Sequence, residues 1–260
     1  MMVKDKIAVI TGAASGIGRA TALRFAREGA AGIVVADIDR EKAEAVAAEI
    51  GGLALQCDVG KEEDIRRLVH EAEGHYGRID VYFSNAGIIV RGGLETPGEA
   101  WEKSWRIHVM AHVWAAQAVV DKMVAQGGGY FLVTASAAGL LNIVESASYG
   151  VTKHGAVAFA EWLAITYGRA GLRVSCLCPQ SVETAMHVKG GSSAVNGVLT
   201  ADRVADDIVN AMAQETFLVL PHPEVLEYMR RKTGDYDRWI GGMQKLASTH
   251  RPARSAKPAE

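Results

Sequence analysis

Residues 7–18, Ile7-Ala8-Val9-Ile10-Thr11-Gly12-Ala13-Ala14-Ser15-Gly16-Ile17-Gly18, run an apolar, strand-like segment straight into a glycine-rich turn, and a helical pattern from Arg19 to Glu28 follows. β-Branched and apolar side chains fit a buried, pleated strand. Glycines at 12, 16 and 18 permit a tight turn and let the backbone approach a pyrophosphate closely. A helix beginning there offers that anion unpaired N–H groups and the positive end of its dipole. A glycine-rich loop alone says little; one set between a strand and a helix points to dinucleotide binding.

Moving outward, a second strand candidate ends in Asp37, where a dinucleotide fold needs an acid to accept hydrogen bonds from the adenosine ribose. A carboxylate there also repels a 2'-phosphate, and the loop carries Ser15 rather than a basic residue, so the expected cofactor is NAD and not NADP. Asp39 suits a helix cap. Further strand candidates are 54–58, 81–85, 130–135, 174–178 and 217–220, separated by amphipathic helices such as Ala43, Val46, Ala47, Ile50 and Ile65, Leu68, Val69, Ala72. Strands alternating with helices call for a mostly parallel sheet covered on both faces. The expected fold is α/β: a Rossmann-type, doubly wound, seven-stranded parallel sheet in a single domain over 1–250.

Whole-chain properties narrow the partners. The 260 residues carry 28 Lys plus Arg against 30 Asp plus Glu, which gives no field to draw nucleic acid or an anionic membrane. A small-molecule substrate is expected. The start, MMVKDKIAVI, has no apolar signal core, and no later segment is long and apolar enough to span a bilayer, so a cytoplasmic location without membrane contact is expected. Cys57, Cys176 and Cys178 suit buried, reduced thiols, and no metal is expected. The helix expected over 149–168 is apolar on nearly every side; with the one over 102–125 it is expected to build a homo-oligomer, a tetramer or dimer. Residues 185–200 are expected to form a substrate lid, 221–246 an extension over the cleft or a neighbouring subunit, and 251–260 a mobile tail.

Cys57-Asp58-Val59, Asn85-Ala86-Gly87, Ser136 and Tyr149-Gly150-Val151-Thr152-Lys153 follow the glycine loop in that order. The set resembles the short-chain dehydrogenase/reductase family over about residues 5–221. The resemblance implies that Gly12, Ser15, Gly16, Ile17 and Gly18 hold the pyrophosphate, Asp37 and Ile38 the ribose end, and Asp58 and Val59 the adenine. It also sets Asn85, Ala86 and Gly87 against the cofactor, gives Lys153 the nicotinamide ribose, and puts Pro179, Val182 and Thr184 at the carboxamide and phosphates. The residue chemistry agrees. Hydride transfer between nicotinamide and a carbonyl carbon needs a proton partner for the oxygen. Tyr149 can be that acid/base if its pKa falls well below the usual value of about 10, and Lys153, one helical turn away, supplies positive charge. Ser136 can donate to the substrate oxygen.

Two departures from the family stand out. Gln180 follows Pro179 where the family has glycine, and counting from Trp101 puts His108 at the family's catalytic asparagine position. The resemblance implies a helix opened at that residue, whose main-chain carbonyl holds a water linking Lys153 to solvent. Two readings of the His108 ring stay open: proton relay, or a hydrogen-bonded structural histidine. His112 reads as packing or interface. Substrate-pocket candidates are Ile89, Ala138, Leu140, Gln180 and Met186, a mainly apolar set that fits a hydrophobic or aromatic secondary alcohol or its ketone. The alternatives are an NAD-binding sensor without turnover, or a cofactor-retaining epimerase or dehydratase on the same fold.

Overall fold

In the computed structural model, which describes residues 1–186 and 191–250, seven parallel strands form one sheet. In chain order they are β1 (Ile7–Thr11), β2 (Gly32–Asp37), β3 (Leu53–Gln56), β4 (Val81–Ser84), β5 (Gly129–Thr134), β6 (Leu172–Leu177) and β7 (Leu218–Val219). Their spatial order is β3-β2-β1-β4-β5-β6-β7. The order reverses at β1, so a crevice opens beyond the carboxyl ends of β1 and β4, the position where open α/β sheets bind ligands. Central strands are buried on both faces. In β1, β4 and β5 every residue is buried, which explains why those segments read as continuous apolar runs.

Helices α1 (Gly16–Arg27), α2 (Arg40–Ile50), α3 (Glu62–Tyr76), α5 (Ala111–Ala125), α7 (Ala147–Tyr167) and α8 (Ala201–Gln214) cover the sheet, and an apolar core fills the space on each face. As expected, Asp39 caps α2, its carboxylate accepting from Lys42 N–H.

Two segments are divided, one of them expected to be a single helix. The helix expected over 102–125 is α4 (Gly98–Trp105), then a π-helical turn at Arg106–Met110, then α5. Ala111 N–H reaches the Arg106 carbonyl, five residues back, which opens the helix around His108. Hydrophobic spacing hides this break, because one inserted residue shifts the apolar stripe without interrupting it. The extension likewise divides into α9 (Glu224–Gly234) and α10 (Tyr236–His250); Asp235 between them accepts from Arg238 N–H and starts the second helix. These two helices fold back over α6 (Ala138–Leu141), where Val225, Tyr228, Met229 and Trp239 pack on Ala137, Leu140 and Leu141. The expected lid is described except at 187–190, and the tail 251–260 lies outside the described residues. No helix among the described residues is long and apolar enough to cross a membrane.

Candidate active site

The glycine loop emerges from β1 into the crevice. Gly12 and Gly16 have φ of +67° and +53°, a region other residues adopt only under strain. A Cβ on Gly18 would lie 2.2 Å from the Gly12 carbonyl oxygen, so the loop closes on itself only with glycine there. Ser15 precedes α1 but its side chain caps nothing, which leaves the first N–H groups of the helix free to face an anion. Thr184 closes the other side: a Cβ on Gly16 would lie 2.9 Å from its methyl carbon. Asp37 accepts from Ala14 N–H at 3.1 Å and from Asp39 N–H at 3.1 Å, so the acid is fixed beside the loop. Asp58 accepts from Gly60 N–H at 3.0 Å, and Val59 is buried next to it. Asn85 ties the neighbouring strand ends together, donating to the Thr11 carbonyl at 3.0 Å and accepting from Thr134 Oγ1 at 3.0 Å. A shaped anion cradle with an acid beyond it fits a dinucleotide. Ile38 is 62% exposed next to that acid, and the nearby Arg40 and Lys42 pair with Glu44 and Asp39.

Farther along the crevice, the loop after β5 carries Ser136 and α7 carries Tyr149 and Lys153. The Ser146 side chain caps α7 by accepting from Tyr149 N–H at 3.2 Å, and its hydroxyl donates to the Val90 carbonyl. Gly139 sets the distance between loop and helix, since a Cβ there would lie 2.4 Å from the Lys153 carbonyl oxygen. Ser136 Oγ accepts from Ala138 N–H at 3.1 Å and is hydrogen-bonded to the Tyr149 phenol. Lys153 Nζ donates to the Thr134 carbonyl at 2.8 Å and lies 5.6 Å from the centre of the Tyr149 ring.

The electrostatics differ from the expectation in one respect. Burial pushes the Tyr149 phenol above its usual range, with the Ser136 hydrogen bond drawing it partly back. Burial lowers the Lys153 ammonium to about 8, with the Cys176 and Cys178 thiols opposing that shift. Those two thiols are free and buried, as expected, with sulfurs 3.8 Å apart at the end of β6.

His108 is fully buried in the opened turn, its ring 5.4 Å from that of Tyr149 and edge-on to it. Ile88 N–H donates to Nε2 at 3.1 Å. On the other side Nδ1 stands 2.8 Å from Thr152 Oγ1, whose own proton goes to the Ser148 carbonyl at 2.8 Å. These partners assign the proton to Nδ1 and leave Nε2 as an acceptor. Burial holds the ring well below the usual histidine range, with the Lys153 charge adding to the effect. His112 is buried against Ser84 at 2.6 Å, and burial lowers it to about 3.

Beside Ser136 opens a cavity of about 900 Å³. Of the five substrate candidates, Ala138 and Gln180 line it. Leu140 instead packs against α9, and its carbonyl accepts from Lys232 at 2.6 Å; Met186 is 41% exposed and Ile89 is half-buried outside the cavity wall. Tyr228, Trp239, Met243 and Leu246 from α9 and α10 form much of the wall. The sequence marked 221–246 as an extension over the cleft or a neighbouring subunit without showing which of its side chains line this cavity.

A profile of the short chain dehydrogenases matches residues 6–193. The chain belongs to the short-chain dehydrogenase family. Tropinone reductase-like 2 from Erythroxylum coca is 35% identical over 219 residues, covering 82% of this chain and 76% of the relative. A 1-deoxy-11-beta-hydroxypentalenate dehydrogenase from Streptomyces exfoliatus is 32% identical over 256 residues, covering 92% and 91%. Among solved structures, a short-chain dehydrogenase/reductase from Burkholderia phymatum in complex with NAD superposes with a TM-score of 0.84 at 26% identity, covering 92% of this chain and 96% of that one. This short-chain dehydrogenase is a hydride-transfer oxidoreductase, and its seven-stranded sheet is the family's Rossmann-type fold.

Proposed function

We propose that this dehydrogenase interconverts a hydrophobic or aromatic secondary alcohol and its ketone with NAD(H). The observation that carries this reading is the convergence of Ser136, Tyr149 and Lys153 at the sheet's carboxyl edge, beside a cavity walled mainly by apolar side chains. In the direction of reduction, Ser136 hydrogen-bonds the substrate oxygen and Tyr149 gives it a proton. Lys153, mostly protonated at pH 7 with a pKa of about 8, supplies charge to the phenolate that remains and restores its proton. A bound nicotinamide supplies the hydride and, once oxidised, further positive charge. Gly12, Ser15, Gly16, Ile17, Gly18 and Thr184 would hold the pyrophosphate, Asp37 and Ile38 the adenosine ribose, and Asp58 and Val59 the adenine. Asn85, Ala86, Gly87, Pro179 and Val182 would line the nicotinamide half. Asp37 and the paired state of Arg40 and Lys42 support NAD over NADP.

We read His108 as a positioning residue: both ring nitrogens are committed, which supports the structural alternative over proton relay. The assembly reading is a homo-oligomer across α4, α5 and α7, supported by Trp105, Trp162 and Ile165, which are 46%, 52% and 82% exposed on α4 and α7.

The test is NADH absorbance across a panel of apolar secondary alcohols and ketones, in parallel with NADPH. Turnover with NADH, and loss of about 10²–10⁴-fold in kcat/KM for Tyr149→Phe, is expected. Tight NAD binding without turnover on any member would replace this reading with a nucleotide sensor.

A further inference from the structure

Gln180 stands where the family resemblance expects glycine, and both its main chain and its side chain are hydrogen-bonded. Its main-chain N–H donates to His222 Nδ1 at 3.2 Å, on a histidine that is 2% exposed. Its side-chain Oε1 accepts from Asn196 Nδ2 at 2.9 Å, and Asn196 Oδ1 accepts from the Tyr228 hydroxyl at 3.1 Å. Through Asn196, the loop after β6 and the segment before α8 are thus joined to helix α9. The preceding carbonyl, that of Pro179, accepts from Ala137 N–H at 2.9 Å and from Ser136 Oγ at 3.4 Å, so Gln180 stands next to the serine of the site.

Because Oε1 is taken by Asn196, the amide nitrogen is the free end of the network. Gln180 Nε2 has no acceptor among the described residues, and Gln180 lines the same cavity as Ser136. An unpaired amide N–H at a cavity wall of mixed apolar and polar side chains can discriminate strongly between substrates once water has left.

We propose that Gln180 is a specificity-determining residue, and that the substrate carries a second oxygen acceptor close to the reacting carbonyl, held by Gln180 Nε2 while its apolar body lies against Tyr228 and Trp239. This rests on the ketone reading above and narrows it to oxygenated ketones such as diketones, ketols and keto esters. Glycine at this position offers no side-chain donor, so the preference belongs to this chain rather than to its fold.

Two ketones of one shape test it: 1-phenylpropane-1,2-dione, and 1-phenylpropan-2-one, in which CH2 replaces the second carbonyl. Calorimetry on the full chain with NAD+ present gives the ratio of their dissociation constants without turnover, and NADH oxidation gives the ratio of kcat/KM. The wild type should favour the dione by about tenfold in both. In Gln180→Leu the binding ratio should fall to about one. Gln180→Glu, which keeps the acceptor that Asn196 uses and removes the donors, should lose the preference as well, which separates the effect from damage to the network. An unchanged ratio in both variants overturns the assignment, as does failure of the wild type to bind the dione. Absence of NADH oxidation with either ketone counts against the ketone reading, whereas the calorimetric ratio decides the role of Gln180 by itself.

Discussion

At the scale of single residues, His108 poses the sharpest question. A ring that accepts from Ile88 N–H cannot take a second proton at Nε2 without turning two donors against each other. Its contribution is to hold the segment after Asn85-Ala86-Gly87 and, through Thr152, the helix that carries Tyr149. We expect His108→Asn, which can still accept from Ile88 N–H, to retain most of kcat/KM with an unshifted pH profile. We expect His108→Leu to lose stability by about 1–3 kcal/mol, the cost of leaving that buried N–H unpaired. A profile over pH 5–9 whose acidic limb moves in His108→Asn would restore the relay. The sequence placed His108 by its distance from Trp101, yet could not say what its nitrogens touch. Ile88 and Thr152 are brought to it only by the packing of the opened turn against α7. Gln180 is similar: its oddity was legible, but its partners Asn196 and His222, and Tyr228 behind Asn196, come from segments later in the chain.

At the scale of elements, the strands and their order of succession were readable because each is a short apolar run flanked by turn residues. The breaks in the helices were not. A π-turn keeps the hydrophobic stripe, and the division at Asp235 depends on one carboxylate reaching Arg238 N–H. Helix α7 joins both of its tasks at its start, where Ser146 caps the N-terminus and fixes the approach of Tyr149. Ser146→Ala is expected to cost about 1 kcal/mol. In a chain of this size that lowers the thermal midpoint by about 2–4 °C. The far end of α7 carries the exposed apolar side chains Trp162 and Ile165. If copies of the chain meet there, Ile165→Glu will shift the mass seen by sedimentation toward the monomer, and an unchanged mass would move the interface elsewhere.

For the whole molecule, the fold class followed from alternation alone, whereas the substrate cavity did not, because its outer wall comes from helices after the last strand. Three buried histidines set the response to acid. His108 and His112 are held far below the usual range by burial, and His222 is lowered for the same reason. Each is neutral when folded and takes a proton near pH 6.5 when unfolded, so the unfolded state binds more protons below that pH. Their contribution to stability is therefore full above pH 6.5 and is lost as pH falls, continuing toward pH 3 for His112. The expected slope is about 1.4 kcal/mol per pH unit for each ring that stays neutral. Urea unfolding at successive pH values checks this, and His112→Asn should remove about one proton from the slope. The contact at Gly139 has a different consequence. Where the main chain of the serine loop lies directly on that of α7, with no side chain between, the spacing of Ser136 and Tyr149 is set by atoms that every sequence shares. Drift in the two apolar cores can then alter how firmly the molecule holds together while the separation of its reacting groups is inherited unchanged, so long as that one position remains glycine.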